Sequence, residues 1–177
     1  MTELIARDAY GVLTDPATLK IQRLLPGPMD RIWDYLTKSE LRRQWLAAGE
    51  MEMIVGAPFE LIWRNDELTD PPGKRPPGAS DEHRMDSRIT ALDPPHRLAI
   101  AWKGSGEVSF ELTPEDGQVL LTVIHRRLPD RATLLSVSAG WHMHLDLLVA
   151  GTTGANREPF WDGWSRLKQD YDRLLSA

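Results

Sequence analysis

The chain contains no cysteine. That excludes a disulfide framework, a thiolate zinc site, an iron–sulfur cluster and a cysteine nucleophile. Positive charge is also scarce: 21 Lys and Arg face 26 Asp and Glu, a net charge of −5. Non-specific nucleic-acid binding rests on cations that neutralise phosphates, so no nucleic-acid partner is expected. The pairs Arg42-Arg43 and Arg126-Arg127 are too small to alter that. No apolar run approaches the ~20 residues of a membrane-spanning helix. The start, MTELIARD, lacks the basic and apolar segments of a secretory signal, so a cytoplasmic location is expected. The Gly-x-Ser-x-Gly elbow, the Gly-x-x-x-x-Gly-Lys phosphate loop and the Gly-x-Gly-x-x-Gly turn are all missing. No cofactor, no metal and no catalytic residue are expected.

What is present is one domain's worth of chain, 177 residues, long enough to bury a core without a staple. Tryptophan is abundant: seven, against three Tyr and three Phe. Residues 1–17 show no sustained period and read as a loosely docked arm. Thr18 to Leu25 alternates, with Leu19, Ile21 and Arg23 on one face, as a half-buried strand does. Pro26-Gly27-Pro28 ends it. Met29, Ile32, Trp33 and Leu36 follow at helical spacing, and Ser39 is placed to cap a second short helix. Glu50–Val55 reads as a strand, as does Phe59–Arg64 with Phe59, Leu61 and Trp63 on one face. Residues 65–82, with four prolines and two glycines between 71 and 78, form a long polar loop. Strands follow at His83–Leu92, around Leu98, Ile100 and Trp102, around Val108, Phe110 and Leu112, and from Val119 to His125.

The period then changes. Leu134, Val137, Trp141, Leu145 and Leu148 step by three and four, the stripe of an amphipathic helix that Gly151 would stop. A last helix starts near Pro159, with Phe160, Trp164, Leu167, Tyr171 and Leu174 along it. Strands clustered before a late helix predict an α+β fold with that helix packed on one sheet face.

Several segments resemble one family. They are Leu25–Thr37 (LPGPMDRIWDYLT) with Leu41–Leu46 (LRRQWL), Trp102 before the Gly104-Ser105-Gly106 turn, the Leu121-x-Val123-x-His125 strand with Leu128-Pro129-Asp130, and Gly140-Trp141-x-x-x-Leu145-Asp146. Together, over residues 18–151, they resemble START-like proteins, in the branch named for the activator of heat-shock-protein-90 ATPase homologue. The resemblance implies a helix-grip fold: a curved antiparallel sheet of about six or seven strands around a long late helix, with a central cavity. The START-like core would span 18–151 of a single domain, with a helical extension at 157–176. The loop at 66–82 and the final helix depart from the pattern. Members include lipid carriers, polyketide cyclases and co-chaperone modules, so three roles are open. The chain could bind a small hydrophobic or aromatic ligand without chemistry. It could be a small enzyme of polyketide-cyclase type, with His125 moving a proton. It could serve as a stress-response or co-chaperone-like module with a protein partner.

In the first role the ligand-binding residues would be Trp45, Phe59, Trp63, Trp102, Phe110, His125 and Trp141, the inward aromatics of strands and late helix plus the Trp near the cavity mouth. Large apolar residues also fill cores, and for Trp45, Trp63 and Trp102 both readings stand open. Trp33, Trp161 and Trp164 are assigned to the core. His142 and His144, two apart on a helix, point about 200° from each other and cannot share an ion, so they and Asp146 are expected on a solvated flank.

Overall fold

The computed structural model describes residues 9–175. Seven strands build the sheet: β1 (Val12–Asp15), β2 (Thr18–Pro26), β3 (Pro58–Trp63), β4 (His83–Asp93), β5 (Arg97–Ala101), β6 (Glu107–Glu115) and β7 (Gln118–Arg126). Their order is β1-β2-β7-β6-β5-β4-β3, and every pair is antiparallel. Four helices complete the chain: α1 (Met29–Thr37), α2 (Ser39–Arg42), α3 (Arg131–Thr153) and α4 (Phe160–Leu174). This is the helix-grip architecture, α+β, with α3 as the gripped helix.

Alternation decides which strand faces turn inward. Leu19, Ile21, Arg23 and Leu25 of β2 are buried, as are Leu121, Val123 and His125 of β7, and Leu19 lies opposite His125. Phe59, Leu61 and Trp63 do the same on β3. The helix α3 opens on Asp130, whose carboxylate accepts the Thr133 N–H at 2.8 Å. Its turns are buried nearly all round, as a helix covered on two sides must be. Trp141 faces the sheet, while His142 and His144 meet Tyr171 and Phe160 of α4.

Several expectations are corrected. Residues 12–15 are not a loose arm but an edge strand on β2; the rest of that segment up to residue 8 lies outside the described residues. Glu50–Val55 is a loop, because Ala48 already pairs with Ile62 on the outer edge of β3 and the chain then swings away. It leaves Met53, Ile54 and Val55 exposed. Ser39 does not cap α2; its hydroxyl accepts the Gly49 N–H at 2.9 Å. Gly151 lies inside α3, which ends three residues later, where Gly154 takes the left-handed conformation (φ 80°) and donates its N–H to the Ala150 carbonyl.

The proline-rich loop is fastened to α4. The first N–H groups of a helix have no partner within it, and the residue before α4, Pro159, offers no side-chain cap. The loop supplies the partners: Thr69 Oγ1 accepts the Phe160 N–H and the Pro72 carbonyl accepts the Trp161 N–H, both at 2.9 Å. Asp162 returns the contact by accepting the Lys74 N–H at 2.9 Å. Gly73 approaches so closely that a Cβ there would stand 2.7 Å from the Asp162 nitrogen. Arg75 bridges Asp66 and Asp81 across the loop.

Thr69→Val keeps the shape of the side chain and removes the cap. It is expected to cost about 1 kcal/mol in a urea melt and to speed tryptic cleavage after Lys74. Unchanged melting and cleavage would show that the loop does not hold α4.

Candidate functional site

Three elements present tryptophans to one space. Trp63 ends β3, Trp102 stands one residue beyond β5, and Trp141 sits in the middle of α3. The Trp63 and Trp102 ring centres are 5.6 Å apart, and the Trp102 and Trp141 centres are also 5.6 Å apart. From the opposite side α4 adds Trp161 and Trp164, with ring centres 5.8 Å apart. Between them lies a pocket of about 390 Å³ that opens to solvent. Five of the seven tryptophans therefore border one space. Leu46, Met85, Val137 and Phe160 complete the apolar wall, and the loop residues Gly78, Ala79 and Ser80 contribute to the lining.

Gly140 opens this space. It lines the pocket from α3, and a Cβ added there would meet nothing within 4 Å. Three of the five indole N–H groups are turned to fixed acceptors, which leaves ring surface for the pocket. Trp161 donates to Asp66 Oδ1 at 2.6 Å, Trp164 to the Ser136 carbonyl at 3.3 Å, and Trp141 to His125 Nδ1 at 3.0 Å.

Of the residues singled out in the sequence, Trp63, Trp102 and Trp141 line the pocket. The others lie elsewhere. Trp45 is 1% exposed and donates its indole N–H to the Tyr35 carbonyl at 2.9 Å. Phe59 is buried on β3, and Phe110 packs its edge on Trp141 at 5.7 Å. His125 is buried at the end of β7, in ring contact with Trp102 and Trp141. Trp161 and Trp164, assigned to the core from sequence, do pack in it and against it, and both also border the pocket. Their i, i+3 spacing puts them on one helical face, but only the packing of α4 shows where that face points. Asn65 and Lys103 also line the pocket and carried no signal in the sequence, and Gly140, marked there only as part of a family-like segment, lines it too.

The histidines of α3 are not on a solvated flank, because α4 covers it: His142 is 2% exposed and His144 6%. His144 donates Nδ1–H to the Trp45 carbonyl at 2.8 Å, which fixes the tautomer of its neutral ring. The Tyr171 hydroxyl accepts the Gly11 N–H at 2.7 Å and is hydrogen-bonded to His142 Nδ1 at 2.8 Å. Asp146 holds the buried Arg23 at 3.1 Å. Burial pushes His125 and His144 down to about 4, and burial with Arg23 and Arg166 nearby pushes His142 to about 3. Among the described residues no group of three or more His, Asp and Glu could hold a metal ion. No helix among them is long and apolar enough to cross a membrane.

A curved antiparallel sheet gripping a long helix, with an aromatic pocket beside that helix, defines a helix-grip protein of the START-like class. Residues 26–151 match the family model of Activator of Hsp90 ATPase homolog 1-like proteins, and the chain belongs to that family. Among solved structures it is similar to the protein encoded by gene BPP1335 from Bordetella parapertussis. Identity is 34%, coverage 98% of this chain and 95% of that one, and the TM-score 0.77. CalU16 from Micromonospora echinospora shares the fold at 21% identity, covering 90% and 89% of the two chains, with a TM-score of 0.68. So does PFC0360w, an HSP90 activator from Plasmodium falciparum, at 15% identity, 80% and 99% coverage and a TM-score of 0.57. No curated protein matches the sequence. The family and the fold are compatible with a ligand-binding role.

The buried histidines make stability depend on pH. Their folded pKa values lie below the ordinary value near 6.5, so at intermediate pH the unfolded chain binds more protons. Stability from this source is complete above that value and is lost as pH falls from there toward 4, at about 1.4 kcal/mol per pH unit for each histidine. Urea melts at pH 7 and pH 5 measure it. Equal stability at both would show that these rings take up protons inside the folded protein.

Proposed function

We propose that this protein binds a small hydrophobic or aromatic molecule between the indoles of Trp63, Trp102, Trp141, Trp161 and Trp164, without catalysis, in the cytoplasm. The observation that supports this reading most is the convergence of five tryptophans on one open pocket. Packing accounts for the burial of Trp63, Trp141 and Trp161 but does not require that all five border one space. A pocket of this size suits a flat molecule, whose faces stack on or meet the edges of indole rings. The site differs in place from the cavity expected between sheet and late helix. It lies where the end of the sheet, α3 and α4 meet, and the proline-rich loop borders it.

The geometry favours this reading over the two alternatives. A cyclase would need His125 to reach substrate, but that ring is 1% exposed, accepts from Trp141 and is kept neutral by burial. An interaction module would be favoured by an apolar patch on the outer face of the sheet. Among the described residues the large exposed apolar side chains are Met53–Val55 on a loop, Tyr10 and Leu174 near the chain ends, and on the sheet Val12 alone, in its edge strand β1.

The neutral fluorescent probe N-phenyl-1-naphthylamine tests the proposal. It should brighten on titration into the protein and quench tryptophan emission. Gly140→Leu projects a side chain into the pocket and should abolish the response. Gly140→Ala should keep the fold and gain about 0.5–1 kcal/mol, since glycine inside a helix is costly and the site has room. Equal binding by Gly140→Leu, or no binding by the unmodified protein, would overturn the proposal.

A further inference from the structure

We infer that the pocket selects flat aromatic anions; this rests on the binding reading above and specifies the ligand. Tryptophan walls by themselves attract cations, because the ring face is negative. The polar groups of this pocket point the other way. No Asp or Glu lines it. The surrounding acids are already engaged: Asp66 accepts from Trp161 and pairs with Arg75, and Glu82 pairs with Arg64 and Arg84. Lys103 does line the pocket, directly after Trp102 in the chain, and among the described residues it forms no ion pair. An ammonium ligand would meet a like charge and no carboxylate. A carboxylate or phenolate would find an unpaired ammonium beside the indole it stacks on.

The inferred class is therefore a planar aromatic acid.

Calorimetric titration with three probes of one shape tests this: 2-naphthoate, 2-naphthalenemethanol and 2-naphthylmethylammonium, at neutral pH and low salt. Affinity is expected to fall in that order. The carboxylate should gain about threefold to fivefold over the alcohol, the scale of a partly exposed ion pair. Lys103→Gln should erase the advantage of the carboxylate, and Lys103→Glu should reverse the order of 2-naphthoate and the ammonium probe. Lys103 is exposed, so its variants test charge with the fold intact. If all three probes bind equally and Gly140→Leu abolishes their binding, the pocket stands as a binding site and the selection of anions is overturned. If none binds, the binding reading falls and this inference falls with it.

Discussion

Trp141 stands on the sheet with its indole N–H donated to His125 Nδ1 over 3.0 Å, and the pocket depends on that contact. The bond joins the middle of the long helix to the end of β7 and fixes how α3 is rotated about its own axis. Phe110 and Trp102 hold the same ring from the sheet at 5.7 and 5.6 Å. With Trp141 so placed, its neighbour Gly140 faces the pocket together with His144 one turn later, while His142 and Met143 face α4. Accepting at Nδ1 requires an unprotonated ring nitrogen, and burial enforces it. The residue that looked most like a proton-transfer group is thus a structural acceptor.

The outer wall has a different origin. The two departures from the family pattern, the proline-rich loop and the final helix, are partners of each other. The loop satisfies the first N–H groups of α4, and α4 holds the loop through Asp162 and Trp161. Neither element is suited to stand alone: the loop is too rich in proline to join a sheet, and the helix starts without a side-chain cap. Docked together on α3, they turn what would be an exposed flank of the gripped helix into one side of an aromatic pocket.

This places the candidate site at the edge of the fold rather than in the middle of the grip. The interior between sheet and α3 is filled by leucines, Phe110, His125 and Trp141. Membership of the Activator of Hsp90 ATPase homolog 1-like family accounts for the frame, over residues 26–151. Trp161 and Trp164 lie beyond that stretch. The indoles that border the candidate site from outside therefore come from the last helix.

Local sequence determined most of the frame. Period-two alternation marks β2 through β7 because each strand buries one face, and the shift to three-and-four spacing marks α3 because it lies along the sheet. Trp63, Trp102 and Trp141 could be named as lining residues from those faces. Other features depended on what lies across from them in space. Glu50–Val55 has a strand's composition, but Ala48 had already taken the edge of β3. His142 and His144 sit where a helix exposed on one side would be wet, and only the arrival of α4 dries them. Trp161 and Trp164 read as core, and they pack there, but spacing tells which side chains share a helix face and not what else that face meets. Tertiary packing decided that it also borders a space, since the docking of α4 is set by contacts with residues some ninety positions earlier in the chain.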